Sequence, residues 1–156
     1  RKPGGERWQY EVSEQGFRYH MSNINAAIGL EQLKKLDTFI NRRREICIRY
    51  QKAFENIAGI KMLAVNYQEV APHVFVIRVL NGRRNDLIEY LRRCDIETGL
   101  NYIPNHLHPL YQQRDKAFPV SEQLYKEIIT LPLHCRLSDQ DVDFVIESVT
   151  EFFAKG

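Results

Sequence analysis

The stretch Ser22-Asn23-Ile24-Asn25-Ala26-Ala27-Ile28-Gly29-Leu30-Glu31-Gln32-Leu33-Lys34-Lys35-Leu36-Asp37 decides how the chain is read. Ser22 is a suitable N-cap, because its hydroxyl can accept from a free amide of the first helical turn. From Asn23 to about Glu55 there is no Pro, and Ala26, Leu33, Ile40, Cys47 and Phe54 recur at seven-residue spacing. Ile24, Ile28, Leu30, Leu36 and Ile48 widen the apolar face, and the pattern predicts one long helix. At a rise of about 1.5 Å per residue such a helix is roughly 50 Å long, more than a small domain needs for its own core. The expectation is that it bridges this domain to another domain or subunit.

On the C-terminal side, Gly59 is placed to end that helix, and Ile60 to Val65 reads as a strand. Val74-Phe75-Val76-Ile77-Arg78-Val79-Leu80 is β-branched and aromatic, as a central strand should be, and Asn81-Gly82 turns the chain. Asp86 to Cys94 has helical spacing. Thr98 to Ile103 reads as a further strand weakened by Gly99, and a Pro-bounded loop follows to Phe118. Pro119 suits the first turn of a helix through Ile128, and Thr130-Leu131-Pro132-Leu133 is edge-like. Ser138-Asp139-Gln140-Asp141 caps an amphipathic last helix. With no Gly-rich nucleotide loop after any strand, a doubly wound sheet is disfavoured. The order fits an α+β fold in which a long helix precedes a small, mostly antiparallel sheet with helices. On the N-terminal side, Arg7-Trp8-Gln9-Tyr10-Glu11-Val12 alternates like a short strand, so residues 1–21 are expected to be an arm or hairpin from a preceding domain. Residues 22–156 are then the C-terminal α+β domain.

The chain has 156 residues, 44% of them hydrophobic and 27% charged, which suits one folded domain rather than a disordered segment. Its 22 basic and 20 acidic residues leave a net charge of +2, too weak a field to argue for nucleic acid or a membrane surface as partner. No apolar run approaches the roughly 20 residues of a membrane span, and the N-terminus lacks a signal-peptide stretch, so a cytoplasmic setting is expected. Cys47, Cys94 and Cys135 have no zinc or disulfide spacing and read as reduced thiols, two of them in or near the core. The charged Gly-Gly opening reads as that of a chain cut from something longer.

Two loop segments carry chemistry. Gly16-Phe17-Arg18-Tyr19-His20-Met21-Ser22-Asn23 ends where the long helix offers free N–H groups and the positive end of its dipole, which suits a phosphate. Asn101-Tyr102-Ile103-Pro104-Asn105-His106-Leu107-His108-Pro109-Leu110-Tyr111 sets imidazoles and phenols on a Pro-held backbone. Each residue also has a plainer reading. Arg18 can be an arginine paired with an acid such as Glu14, and His20 an exposed or packing residue. Tyr102 and Tyr111 can be half-buried aromatics, His134 an edge-strand residue, and Arg42-Arg43-Arg44 a solvated helix face. His106 and His108 lack acidic or Cys neighbours at ligand spacing, so no metal is expected.

The segment from Gly16 to Asp37 resembles that of the DegT/StrS-type sugar-nucleotide aminotransferases, where it leads into the long helix after the active-site lysine. The resemblance continues in order through His73 to Val79, Asn101 to His106 with Pro109 and Tyr111, Phe118-Pro119-Val120-Ser121-Glu122, Leu131 to His134, and Leu137 to Val142. It implies the C-terminal small domain of a fold-type-I, pyridoxal-phosphate enzyme. Such an enzyme is a homodimer that transfers an amino group from an amino acid, usually glutamate, to a nucleotide-linked keto sugar. It also implies that the lysine holding the cofactor, the acid facing its ring nitrogen and the stacking aromatic lie in a missing N-terminal domain, so the chain alone is expected to be inactive. No catalytic residue is assigned within it. Arg18 takes the position that reaches the cofactor phosphate across the dimer, where many members have Asn, and His20 stands where many have Arg. Arg18 is therefore the candidate cofactor-binding residue, and His20, Tyr102 and His106 are the candidate substrate-binding residues. The alternatives are a stand-alone dimerisation or sugar-nucleotide-binding module, or part of a related sugar dehydratase in which His replaces the lysine.

Overall fold

The computed structural model describes residues 14–111 and 116–155. The strand-like Arg7 to Val12 segment lies outside them. By its contacts the chain divides into two units, Arg1–Lys35 and Leu36–Gly156.

In the first unit, α1 (Asn23–Leu33) is capped as its sequence foretells: the Asn25 amide donates to Ser22 Oγ at 3.2 Å. None of its residues is buried, and Ile24, Ile28, Leu30 and Leu33 are all more than half exposed.

The single helix expected from Asn23 to about Glu55 is two helices, since α2 (Leu36–Phe54) starts afresh after a turn at Lys34 and Lys35. The cause is a change of hydrogen-bond register. The Lys34 amide reaches Leu30 O at only 3.4 Å, while the Lys35 amide bonds Gln32 O at 3.0 Å, a tighter three-residue step. Neither Pro nor Gly marks the spot. Helix α2 also stops short of Gly59, which takes φ +94° in the turn before β1 and accepts from the Leu80 amide at 2.8 Å. A Cβ there would lie 3.0 Å from the Phe153 ring, so both conformation and space call for glycine.

The second unit is an α+β fold on an antiparallel sheet of order β1–β2–β3, with β1 Ile60–Met62, β2 Phe75–Val79 and β3 Ile128–Leu131. Strand β2 is central. Its Phe75, Ile77 and Val79 are buried while Val76 and Arg78 are half-buried, the alternation of a sheet with one face on a core. Helices α3 (Arg84–Arg93), α4 (Pro119–Glu127) and α5 (Asp139–Ala154) complete the unit. The core joins Ile46, Cys47, Tyr50 and Phe54 of α2 to β2, to Leu87 and Leu91 of α3, to Ile129 and Leu131 of β3, and to Val142, Val145 and Val149 of α5. Of the seven-residue series, only Cys47 and Phe54 reach this core. Burial pushes the Cys47 thiol up to about 12, so it stays protonated.

The strand expected over Thr98 to Ile103 is reduced to one bridge, in which Gly99 and Thr130 exchange both backbone bonds at 2.8 and 2.9 Å. Beyond it the chain heads for Pro104, whose nitrogen has no hydrogen to give a ladder. Strand β3 begins two residues earlier than expected and ends before Pro132 for the same reason. The solvated reading of Arg42-Arg43-Arg44 is also corrected. Arg42 Nη2 donates to Leu137 O at 2.7 Å and pairs with Glu45 and Asp139; Arg43 Nε donates to Phe39 O at 3.2 Å and Arg44 Nε to Val70 O at 2.8 Å. Arg42 and Arg44 satisfy carbonyls of other segments, and Arg43 one in its own helix, while all three stay partly open to water.

Candidate functional site

The first candidate segment runs through residues 15–22 without helix or strand into the N-terminus of α1. Arg18 and His20 are exposed, and among the described residues Arg18 forms no ion pair with Glu14. The rings of Phe17 and Tyr19 lie 6.3 Å apart. Helix α1 has no acid in its first turn, and only one of its leading amides is taken by the Ser22 cap. Arg18 stands four residues ahead of the Ser22 cap, and a guanidinium and the acid-free leading amides of a helix are donors of the kind that suit a dianionic phosphate. The phosphate end of pyridoxal phosphate, the cofactor that the resemblance implies, is an anion of that kind.

The second segment belongs to the unit that begins at Leu36. After the Asn101–Tyr102 peptide, which is cis, two 3₁₀ turns, Asn105–Leu107 and Pro109–Tyr111, fold the loop through Leu107 N to Pro104 O at 2.9 Å and Tyr111 N to His108 O at 3.0 Å. Tyr102 is 74% exposed and free to meet a ligand. His106 is different. Its side chain is only 15% exposed, its ring centre lies 4.5 Å from that of Phe118, and its Nε2 is 3.3 Å from Glu122 Oε1. Pro119 starts α4, and the Glu122 amide bonds Phe118 O at 3.0 Å, so one helical turn fixes both neighbours of the imidazole. His108 is exposed, and among the described residues no three His, Cys, Asp or Glu are grouped as metal ligands would be.

Tyr102 and His106 thus share one connection, and Arg18 and His20 share another. Glu122 and Phe118 were legible only as letters of the Phe118 to Glu122 block; nothing in local spacing ties them to a histidine sixteen and twelve residues earlier. A separate groove of about 540 Å³ opens between the Asp95–Gly99 turn, β3 and α5, bordered by Thr130, His134, Asp141 and Phe144. Neither Tyr102 nor His106 lines it.

A capped helix after an exposed cationic segment, and in the second unit a three-stranded antiparallel sheet with helices, make an α+β arrangement that solved structures of sugar aminotransferases share. The chain belongs to the DegT/DnrJ/EryC1/StrS aminotransferase family, whose profile matches residues 1–150. It is 38% identical over 154 residues to the spore coat polysaccharide biosynthesis protein SpsC of Bacillus subtilis, covering 92% of this chain and 40% of that one. It is 34% identical to GDP-perosamine synthase of Escherichia coli O157:H7, covering 94% of this chain and 40% of that one. It superposes with a TM-score of 0.83 and 29% identity on Spr1654 of Streptococcus pneumoniae, described as a sugar aminotransferase, in its PLP form, over 95% of this chain and 40% of that one. The same protein is known in a PMP form. The chain therefore spans about 40% of the length of the curated relatives it matches.

Proposed function

We propose that this chain is the C-terminal part of a cytoplasmic, homodimeric aminotransferase that moves an amino group from an amino acid, with glutamate as donor, to a nucleotide-linked keto sugar. Residues 1–21 would be the arm from the preceding domain and residues 22–156 the C-terminal domain. Membership of a sugar aminotransferase family supports the class. The observation that carries the site is Arg18, exposed just ahead of the acid-free N-terminus of α1. When bound, pyridoxal phosphate supplies the electron-withdrawing ring through which the amino group is accepted and released. This chain's part is to bind and orient. Arg18 and the leading amides of α1 would hold the phosphate dianion, with a fixed charge where an amide would give only a dipole. His20 would face phosphate or substrate beside it. Tyr102 would offer its hydroxyl and ring face to the sugar nucleotide, and His106 a ring nitrogen to a sugar hydroxyl. The isolated chain would be inactive, because the lysine is supplied from elsewhere in the protein.

The test is a panel of nucleotide-linked 3-keto and 4-keto hexoses, incubated with glutamate, pyridoxal phosphate and the longer enzyme that contains this chain. An amino sugar identified by mass, with 2-oxoglutarate formed in equal amount, is the expected result. Loss of water without gain of nitrogen would instead indicate a sugar dehydratase, and binding without turnover a non-catalytic module.

A further inference from the structure

We propose that Glu122 is a positioning residue for His106, fixing the imidazole as the Nε2–H tautomer so that Nδ1 is the nitrogen offered, as an acceptor, to a hydroxyl of the sugar nucleotide. The inference rests on the reading of His106 as a substrate contact and deepens it. The chemistry of the pair carries it. An ionised carboxylate has no hydrogen to give, so at 3.3 Å from Glu122 Oε1 it is Nε2 that donates. In a neutral imidazole only one nitrogen carries hydrogen, and the other then bears the lone pair. The ring is held against rotation as well. Phe118 lies over it at 4.5 Å, the side chain is only 15% exposed, and the 3₁₀ turn Asn105–Leu107 fixes its backbone. Glu122 is itself anchored in the first turn of α4 through its amide and Phe118 O. Two ends of the Pro-bounded loop are thereby joined through one imidazole, and the nitrogen left over is an acceptor, suited to a sugar O–H and unsuited to a phosphate.

The tautomer can be read without any ligand, from the ring-nitrogen shifts and two-bond couplings of His106 in ¹⁵N spectra of this chain, in alkaline buffer where an imidazole is neutral. Wild type should show Nε2–H alone. Glu122→Ala should show a mixture, and so should Glu122→Gln, whose amide can accept from Nε2–H or donate to bare Nε2. Glu122 is partly exposed, so both variants should fold. A mixed or Nδ1–H ring in wild type, or a pattern unmoved by Glu122→Ala, overturns the proposal. The second arm uses the longer enzyme and the keto sugar nucleotide that the panel identifies. There Glu122→Ala should raise KM for the sugar nucleotide by about three- to tenfold, the worth of one hydrogen bond, and leave the half-reaction with glutamate unchanged. Combined with His106→Ala it should add nothing further, because the two residues act as one unit. If His106→Ala raises KM and Glu122→Ala does not, the positioning role fails. If His106→Ala leaves KM unchanged, the substrate reading of His106 fails, and the spectra still decide what Glu122 does to the ring.

Discussion

Glu127 closes α4 with a carboxylate that is nearly out of water, its side chain 11% exposed, on Arg78 of the central strand. Gln123 donates to one oxygen, and Arg78 reaches the other through Nε at 2.8 Å and Nη2 at 2.6 Å. The Gln123 hydrogen bond first, then that of Arg78, holds the Glu127 carboxyl below its usual range. A depressed carboxylate favours the folded state at pH values above its unfolded value of about 4.3, and that advantage is lost as pH falls through the folded value. Glu127→Gln is therefore expected to lower unfolding free energy at neutral pH by about 1–3 kcal/mol, since it removes charged hydrogen bonds and leaves Arg78 without its acid. Urea midpoints of wild type and variant should converge as the pH drops into the acid range. A difference that persists undiminished in acid would show that packing, not charge, made the contribution. Arg18 differs in being exposed and unburdened by core contacts. In the longer enzyme Arg18→Ala should weaken cofactor retention by about 1–3 kcal/mol while leaving thermal stability unchanged. Equilibrium dialysis against pyridoxal phosphate decides it, and equal affinity would remove Arg18 from the site.

At the scale of elements, α5 shows how local chemistry sets a boundary. Ser138 Oγ accepts from the Asp141 amide at 3.1 Å, and the Asp141 carboxylate accepts in return from the Ser138 amide at 2.8 Å. Ser138→Ala should cost about 0.5–2 kcal/mol of stability, seen as an earlier thermal unfolding transition, because the Asp141 amide loses its acceptor while the amide of residue 138 keeps its bond to the Asp141 carboxylate. A transition unchanged from wild type would mean that water replaces the cap without loss. Such caps were legible in the sequence because donor and acceptor lie within three residues, and the same holds for Ser22 on α1. Strand β2 was legible as a central strand from its β-branched and aromatic run, while which of its residues face the core was not, because Val74 to Leu80 is apolar at all but Arg78. What could not be read depends on partners distant in sequence or on small shifts of register. The break at Lys34 and Lys35 has no breaking residue, and the bonds of Arg42 and Arg44 run to carbonyls 95 and 26 residues away. In the candidate site, Tyr102, His106, Arg18 and His20 stood out through family resemblance. Glu122 did not, because its contact with His106 exists only once α4 lies against the loop.

At the scale of the whole molecule, α1 is the feature that a single copy leaves unexplained. Its apolar residues are spread around the helix rather than gathered into one stripe, and Ile24, Ile28, Leu30 and Leu33 are 74%, 57%, 63% and 64% exposed. The approach to it adds Phe17, Tyr19 and Met21, also exposed. A helix apolar on all sides belongs inside a larger body, and contiguous apolar patches beyond a few hundred Å² mark interfaces. The chain covers only about 40% of its relatives' length, and no helix of the described residues is long and apolar enough to cross a membrane. On the homodimer reading proposed above, the occupant of this face is a second copy of the chain. Sedimentation of this chain should accordingly show mass rising with concentration toward a dimer. Ile28→Glu with Leu33→Glu should return it to a monomer, because two charges would have to be buried unpaired at the interface. The far-ultraviolet spectrum should stay that of wild type, since both residues are more than half exposed in the single chain, while the unfolding transition should lose its dependence on concentration. A wild-type chain that remains monomeric over a wide range of concentration would count against a second copy as the occupant. In that case the face would be left to the remaining part of a longer protein, and adding that part in trans should then protect the amides of α1 from exchange.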